Sequence, residues 1–254
     1  MRKIQTFPAA LLLCLILFGG CDRDPVAAPV TGPSLVGIDT VELSAVPEPS
    51  GLAFDLDGSH LWTVSDQTGS MYRLTTGGTR VATIDIGGQD LEGIAVDPTD
   101  GTLFVVEEGL GQVLHVDREG KVLERLTPAG LPDMGNAGLE GVTVDPRTGH
   151  LFLLKEKEPG LLIEMDRDGT VLASIELDFA TDYSGLAFDA AAGQLLVISD
   201  QSATLTWCTT DGKPQRTLAT GLEKGEGIAL DPDRSVFYAV SDSWETLSSY
   251  RVSE

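Results

Sequence analysis

"LEGVTVDPRTGHLFLLKE", residues 139–156, holds two apolar stretches separated by an Asp-Pro-x-x-Gly segment. Short runs rich in Val, Leu and Phe read as strands, and the Asp-Pro pair and glycine between them are turn residues, so the stretch predicts a β-hairpin. The pattern recurs four times, as "PSGLAFDLDGSHLWTVSD" from Pro49, "LEGIAVDPTDGTLFVVEE" from Leu91, "YSGLAFDAAAGQLLVISD" from Tyr183 and "GEGIALDPDRSVFYAVSD" from Gly225. The aligned glycines, Gly51, Gly93, Gly141, Gly185 and Gly227, are 42, 48, 44 and 42 residues apart. Two more strands follow each hairpin, as in "GQVLHVDREG" and "KVLERLTPAG", which meet at Gly120. Four strands in ~40–45 residues is the period of a propeller blade, and a parallel β-helix has far shorter repeats. The sequence therefore predicts an all-β, five-bladed β-propeller with four-stranded antiparallel blades.

The ends predict how the ring closes. The last unit stops after "TLSSYRVSE", enough for a third strand only, while "SLVGIDTVELS" from Ser34 precedes the first hairpin with no partner of its own. The N-terminal strand is expected to complete the last blade.

Ahead of residues 35–254, the propeller, lie two segments of different character. Residues 1–21 begin with Arg2 and Lys3, continue through an apolar run from Ala9 to Phe18 and end in "FGGC", which is the pattern of a secretory signal. The ending resembles a bacterial lipobox with Phe18 in place of leucine, which would make Cys21 the lipidated N-terminus of the mature chain; the plainer alternative is an ordinary cleaved signal. Asp22 resembles the signal that retains enteric lipoproteins in the inner membrane. Residues 22–34, rich in Pro and Ala without an apolar period, read as a flexible tether.

Composition narrows the chemistry. The chain has 39 acidic and 17 basic residues, a formal net charge of −22. Such a surface repels nucleic acid and favours cations. Of three cysteines only Cys208 falls in the propeller, which excludes a disulfide framework or a cysteine-built zinc site there. Neither a G-x-S-x-G elbow nor a P-loop is present.

The acids are not evenly spread. The residue before each glycine is Ser50, Glu92, Glu140, Ser184 or Glu226, and the residue fifteen after it is Asp66, Glu108, Glu156, Asp200 or Asp242. Antiparallel pairing puts the start of one strand beside the end of the next, so all ten positions are expected at one mouth of the central channel. Eight of the ten are acidic. One reading is a solvated acidic rim. The other is a site for a hard divalent ion, Ca²⁺ before Mg²⁺, because the donors are carboxylates without histidine or cysteine. Lys155 and Lys157 interrupt the acids as counter-charges or as anion-binding groups. Ser50, Ser184 and Asn136 join them as ligand-binding candidates, Asn136 together with Met134 lying in the long connection before the third unit. Asp55, Asp97, Asp145, Asp189 and Asp231, at the other end of the hairpins, read as structural turn residues. His60 and His150 fall at that same end and His115 in a third strand, which argues against histidine acid–base chemistry at the mouth. The tryptophans read as packing residues, with Trp244 close enough to Asp242 to line the mouth.

"NAGLEGVTVD", "LFLLKEKEPGLLIEMD", "DLEGIAVD", "DYSGLAFD" and "GEGIALDPDRSVFYAVSD" together resemble the SdiA-regulated β-propeller family of bacterial envelope proteins, with "KEKEP" at 155–159 the most specific element. The repeat unit is also similar to NHL repeats and, more distantly, to blades of metal-dependent lactonases and propeller phytases. The family resemblance implies a five-bladed propeller with a calcium-associated ligand region near its channel. Two functions are consistent with it. The first is a membrane-anchored module that binds calcium and a small ligand or envelope partner at the acidic mouth. The second is a calcium-dependent hydrolase using Glu140, Glu156 and Lys155. Lactonase sites of this shape include an asparagine ligand, and Asn136 is the sole asparagine in the chain. Phytases need a basic cluster, for which only Lys155, Lys157 and Lys224 are at hand, so binding is favoured over catalysis.

Overall fold

Each predicted hairpin forms the inner half of a four-stranded antiparallel sheet. The computed structural model describes residues 33–129, 138–231, 233 and 236–253, and within them twenty strands form five sheets. The signal, Cys21, Asp22, the tether up to Gly32, and Met134 and Asn136 lie outside the described residues.

Strand β1 (Ser34–Glu42) comes first in the chain but last in the ring. Blade 1 comprises β2 (Pro49–Phe54), β3 (His60–Ser65), β4 (Ser70–Thr75) and β5 (Arg80–Asp85). Blade 2 comprises β6 (Leu91–Val96), β7 (Leu103–Glu107), β8 (Gln112–Val116) and β9 (Val122–Leu126). Blade 3 comprises β10 (Leu139–Val144), β11 (Leu151–Lys155), β12 (Leu161–Met165) and β13 (Val171–Glu176). Blade 4 comprises β14 (Gly185–Asp189), β15 (Gln194–Ser199), β16 (Thr204–Cys208) and β17 (Pro214–Ala219). Blade 5 takes β18 (Gly225–Leu230), β19 (Phe237–Ser241) and β20 (Thr246–Ser253) from the end of the chain and β1 from its start. The closure runs from Ser34 opposite Ser253 to Glu42 opposite Thr246. It joins the two ends of the domain and leaves neither β1 nor β20 to stand alone.

The core is divided into five wedges, one between each pair of neighbouring blades. This explains the unbroken apolar runs of the second strands. In β7, Leu103 and Val105 face blade 1 while Phe104 and Val106 face blade 3, so alternation sends both sets into apolar surroundings. The turn aspartates close the wedges at one end. Asp55 accepts from Arg73 at 2.7 Å and from Arg118 of the next blade at 2.6 Å, Arg167 of blade 3 pairs with Asp97 of blade 2, and Arg147 pairs with Asp145 at 2.7 Å. Arg118 and Arg167 also lie over the faces of Trp62 and Phe104, so these two arginines each join two blades by charge and by ring contact.

The innermost strands meet at the aligned glycines. A methyl group on Gly93 would stand 2.7 Å from the Glu140 carbonyl oxygen and 2.9 Å from the Val142 nitrogen, and one on Gly227 would stand 2.5 Å from the Gly51 carbonyl carbon. Gly51 abuts Glu92 in the same way, Gly185 abuts Glu226, and a methyl group on Gly141 would stand 3.0 Å from the Leu186 Cβ and 3.2 Å from the Leu186 nitrogen. Each blade therefore touches the next backbone to backbone around the whole ring. The register slips beside four of these glycines, at Gly51, Gly93, Gly141 and Gly227, which turns the strand entrance toward the axis. The waist so formed has no volume for a water molecule. It separates an acidic cup at one mouth from an apolar hollow of about 210 Å³ at the other.

Replacing Gly93 by alanine tests this contact without a φ penalty, because Gly93 is not in the left-handed region. Overpacking of this kind costs roughly 1–3 kcal/mol, which for a domain of this size lowers the melting temperature by roughly 2–12 °C. Gly37→Ala, where the nearest atom is 4.0 Å away, should melt with the parent.

Candidate functional site

The acidic cup follows from the glycine waist. Bringing the inner strands together places the residue before each glycine on the axis, and the antiparallel second strand ends beside it. The cup measures about 250 Å³ and is lined by Ser50, Asp66, Glu92, Glu108, Glu140, Glu156, Glu226 and Asp242. All seven carboxylates are half-buried. Its polar order is set by a few contacts: Ser50 Oγ donates to Glu92 Oε2 at 2.6 Å, and the Gly138 N–H donates to Glu108 Oε1 at 2.9 Å. The Lys157 ammonium pairs with Glu156. The other six lining carboxylates have no ion-pair partner among the described residues.

Blade 4 contributes nothing to the lining. Asp200 turns to Lys224, whose Nζ lies 3.0 Å from its carboxylate and whose N–H donates to it at 2.8 Å. Ser184 is buried and accepts the Asp200 N–H at 3.2 Å. Lys155 is also placed elsewhere. It stands fourteen residues after Gly141, so strand alternation sends its side chain away from the axis, where it is buried and donates to the carbonyls of Lys157 and, at 3.2 Å, of Pro159. Its equivalents Ser65, Glu107, Ser199 and Ser241 are buried struts of the same kind: Glu107 accepts the Gln89 N–H at 2.8 Å and Ser241 donates to the Glu223 carbonyl at 2.9 Å. Burial lowers the affinity of the Lys155 amine for its proton. Trp62 and Trp207 are packing residues, but Trp244 is exposed and borders a cleft on the flank of blade 5. The histidines stay away from the cup: His60 pairs with Asp57 at 2.7 Å, His150 with Glu164 at 2.6 Å, and His115 stacks on Phe104.

One acid that the hairpin alignment leaves out belongs to the site. Carboxylate oxygens of Asp90, Glu92 and Glu108 lie within 4.8 Å of one another, close enough to hold one metal ion. Asp90 precedes the inner strand by one residue and stands in the left-handed region at φ 57. Its signal was present in the loop: the residue three before each glycine is Glu48, Asp90, Gly138, Asp182 or Lys224. Glu48 also has a positive φ and lies near Asp66, whereas Asp182 is spent on the Ser199 hydroxyl and the Gln201 N–H.

Crowding half-buried carboxylates around one cup makes their charged forms costly. Burial, reinforced by Asp242, Glu92 and Asp200, pushes Glu226 up to about 8. Burial, partly offset by the Ser50 hydroxyl and reinforced by Asp66 and Glu108, pushes Glu92 up to about 7. Burial and the neighbouring Glu48 push Asp66 up to about 7. Burial and the facing Glu92 and Glu108 hold Glu140 well above the usual carboxylate range.

These directions fix the sign of a pH effect. Each carboxyl keeps its proton to higher pH in the folded chain than in the unfolded chain, so the folded state binds more protons between about pH 4 and pH 8. The contribution is fully present below the ordinary carboxylate values and is lost as pH rises through the folded ones. The chelator-treated protein should therefore melt at a lower temperature at pH 8 than at pH 5.5, and Glu226→Gln should reduce that difference.

Comparison with known proteins places this geometry in a family. The chain resembles a structure of a nidogen/laminin complex at a TM-score of 0.58 and 20% identity, over 83% of this chain and 86% of that one. It resembles Myxococcus xanthus glutaminyl cyclase at a TM-score of 0.68 and 14% identity, over 87% of this chain and 97% of that one. At these identities the likeness is one of fold. The sequence pattern of the SdiA-regulated family matches residues 36–243, nearly the whole propeller from the closing strand to just past the second strand of blade 5, and the chain belongs to the SdiA-regulated family.

Proposed function

We propose that this chain is a cation-binding module of the bacterial cell envelope, which holds Ca²⁺ in the acidic cup and uses it to capture a small ligand or an envelope partner. The observation that carries the reading is the cup itself: seven carboxylates converge on about 250 Å³, and six of them have no ion-pair partner among the described residues. Oxygen-only donors without histidine or cysteine match a hard ion. The buried Asp66 Oδ1, which has no hydrogen-bond partner among the described residues, is a further vacant donor. Asp90, Glu92 and Glu108 supply a starting set of ligands, and Glu140, Glu226, Asp242 and Glu156 line the same cup. The cup is larger than one ion, so space is left for a ligand, and Ser50, Lys157 and Asn136 are the groups assigned to it. Lys155 serves instead to hold the 155–159 turn in place. That removes the basic member of the hydrolase trio and favours binding over hydrolysis.

The anchor is part of the same proposal. Lipidation of Cys21 would tether the propeller to a membrane through residues 22–34, and Asp22 favours the periplasmic face of the inner membrane.

The full-length protein in detergent, stripped with chelator at pH 8 and titrated with CaCl₂, should gain stability by mass action, about 2.7 kcal/mol at a hundredfold excess over Kd. This corresponds to a rise of roughly 5–10 °C in melting temperature for a domain of this size. The Glu140→Gln/Glu226→Gln variant should melt higher than the parent without calcium, because repulsion is relieved, and should lose most of the calcium response. A parent that does not respond would identify the acids as a solvated rim. Cys21→Ser should leave the membrane fraction and appear in the soluble one; retention in the membrane would reject the lipid anchor.

A further inference from the structure

The three tryptophans fall into two kinds. Trp62 and Trp207 are 1% and 6% exposed, inside the wedges between blades, whereas Trp244 is 61% exposed. An indole left in water forgoes the stabilisation that burial gives, so its surroundings bear on why it stays outside.

Trp244 borders a cleft of about 380 Å³ on the flank of blade 5, which also includes Tyr250, Thr40, Thr246, Ser248 and Glu223. Alternation along β20 places Thr246, Ser248 and Tyr250 on one face of the sheet. Thr40 of β1 stands opposite Ser248, and their hydroxyls lie 3.0 Å apart. Gly221, at the border of the cleft, has nothing within 4 Å of where a Cβ would sit, which leaves that side open. The cleft shares no residue with the acidic cup.

These groups define what the cleft accepts. Among the described residues no lysine, arginine or histidine lines it and Glu223 is its one charged residue, so these groups offer nothing to a phosphate or a carboxylate. It is open, and although Leu222 adds to the apolar surface of Trp244 and Tyr250, the hydroxyls and the Glu223 carboxylate interrupt that surface, which suits an aliphatic chain poorly. The aromatic plane of Trp244 presents an apolar face, while the hydroxyl row and the Glu223 carboxylate supply hydrogen-bond donors and acceptors. The complement of such a wall is a neutral ring that is apolar on one face and hydroxylated at its edge. We propose that the cleft is a carbohydrate site, in which Trp244 stacks on the apolar face of a pyranose ring and Glu223, Thr40 and Thr246 hydrogen-bond its hydroxyls. Its volume lies within the range of roughly 300–1,000 Å³ for small-molecule sites.

Because the other two indoles are buried, ligand-dependent changes in fluorescence report on Trp244. The full-length protein, held in a detergent without a sugar headgroup, is titrated with chitotetraose and with maltotetraose. At least one of them should shift the emission to shorter wavelength in a saturable way and protect it from acrylamide. By calorimetry, Trp244→Ala should weaken that binding by about tenfold or more, and Trp244→Phe should weaken it less. Both variants should keep the parent's melting temperature, since the side chain is exposed. Absence of a saturable response to both sugars, or binding undiminished in Trp244→Ala, would overturn the assignment.

Discussion

The contact on which the rest of the structure depends is the approach of one inner strand's backbone to the next at the five aligned glycines. Hydrogen bonds hold each blade together, but blade meets blade through side-chain wedges, and a wedge alone sets neither the distance of the inner strand from the axis nor the number of blades that fit. At Gly93 and Gly227 the neighbouring backbone already occupies the place of a Cβ, so the waist can close only where that atom is missing. Closing the waist produces the cup. With the inner strands in contact, Glu92, Glu140 and Glu226, each adjacent to a waist glycine, have only the axis to point into. Fold and charge are thus linked: the compact ring that stabilises the propeller also forces its carboxylates together.

That link has an energetic cost, which the second strands contain. Fourteen residues after each glycine a buried side chain ties the mouth loops to the sheet, and one residue later an acid faces the axis or its rim. The alternation of a β-strand separates the two tasks within a single peptide unit. Repulsion in the cup then acts on loops that are fixed from behind, so it is relieved by proton uptake, or by cation binding under the proposed function, rather than by spreading of the loops.

The fold was legible because a repeat supplies its own alignment. Five hairpins, their spacing and the unpartnered first strand determine the blade number and the closure, and none of them requires knowledge of long-range packing. The cup was legible to the extent that it follows the repeat, as it does for Ser50, Asp66, Glu92, Glu108, Glu140, Glu156, Glu226 and Asp242. The departures arise where local chemistry breaks the repeat. Asp90 lies in a loop, outside the strands that were aligned. Lys155 is adjacent to the acidic position in sequence but on the opposite face of the strand. Asp200 and Ser184 occupy repeat positions, yet Lys224 of the following loop draws Asp200 out of the lining, a contact between blades that no single repeat contains.

These departures make the site more specific than a fivefold ring would be. A symmetric cup would have equivalent acids on every blade and a potential centred on the axis. Here the Asp200–Lys224 pair neutralises the side of blade 4, and Lys157 partly neutralises Glu156 of blade 3. Blade 2 carries three carboxylates within reach of one another, while blade 1 adds Asp66 with Glu48 close by. The unpaired carboxylates therefore lie away from blade 4 and are densest at blade 2, and under the proposed function a cation drawn into the cup would settle against that wall. Under the same proposal an anionic group of a ligand bound to that cation would find its basic partners on the side of blades 3 and 4, at Lys157 and Lys224. The asymmetry of the charges, more than their number, is what allows a repeat protein to build a site with one orientation.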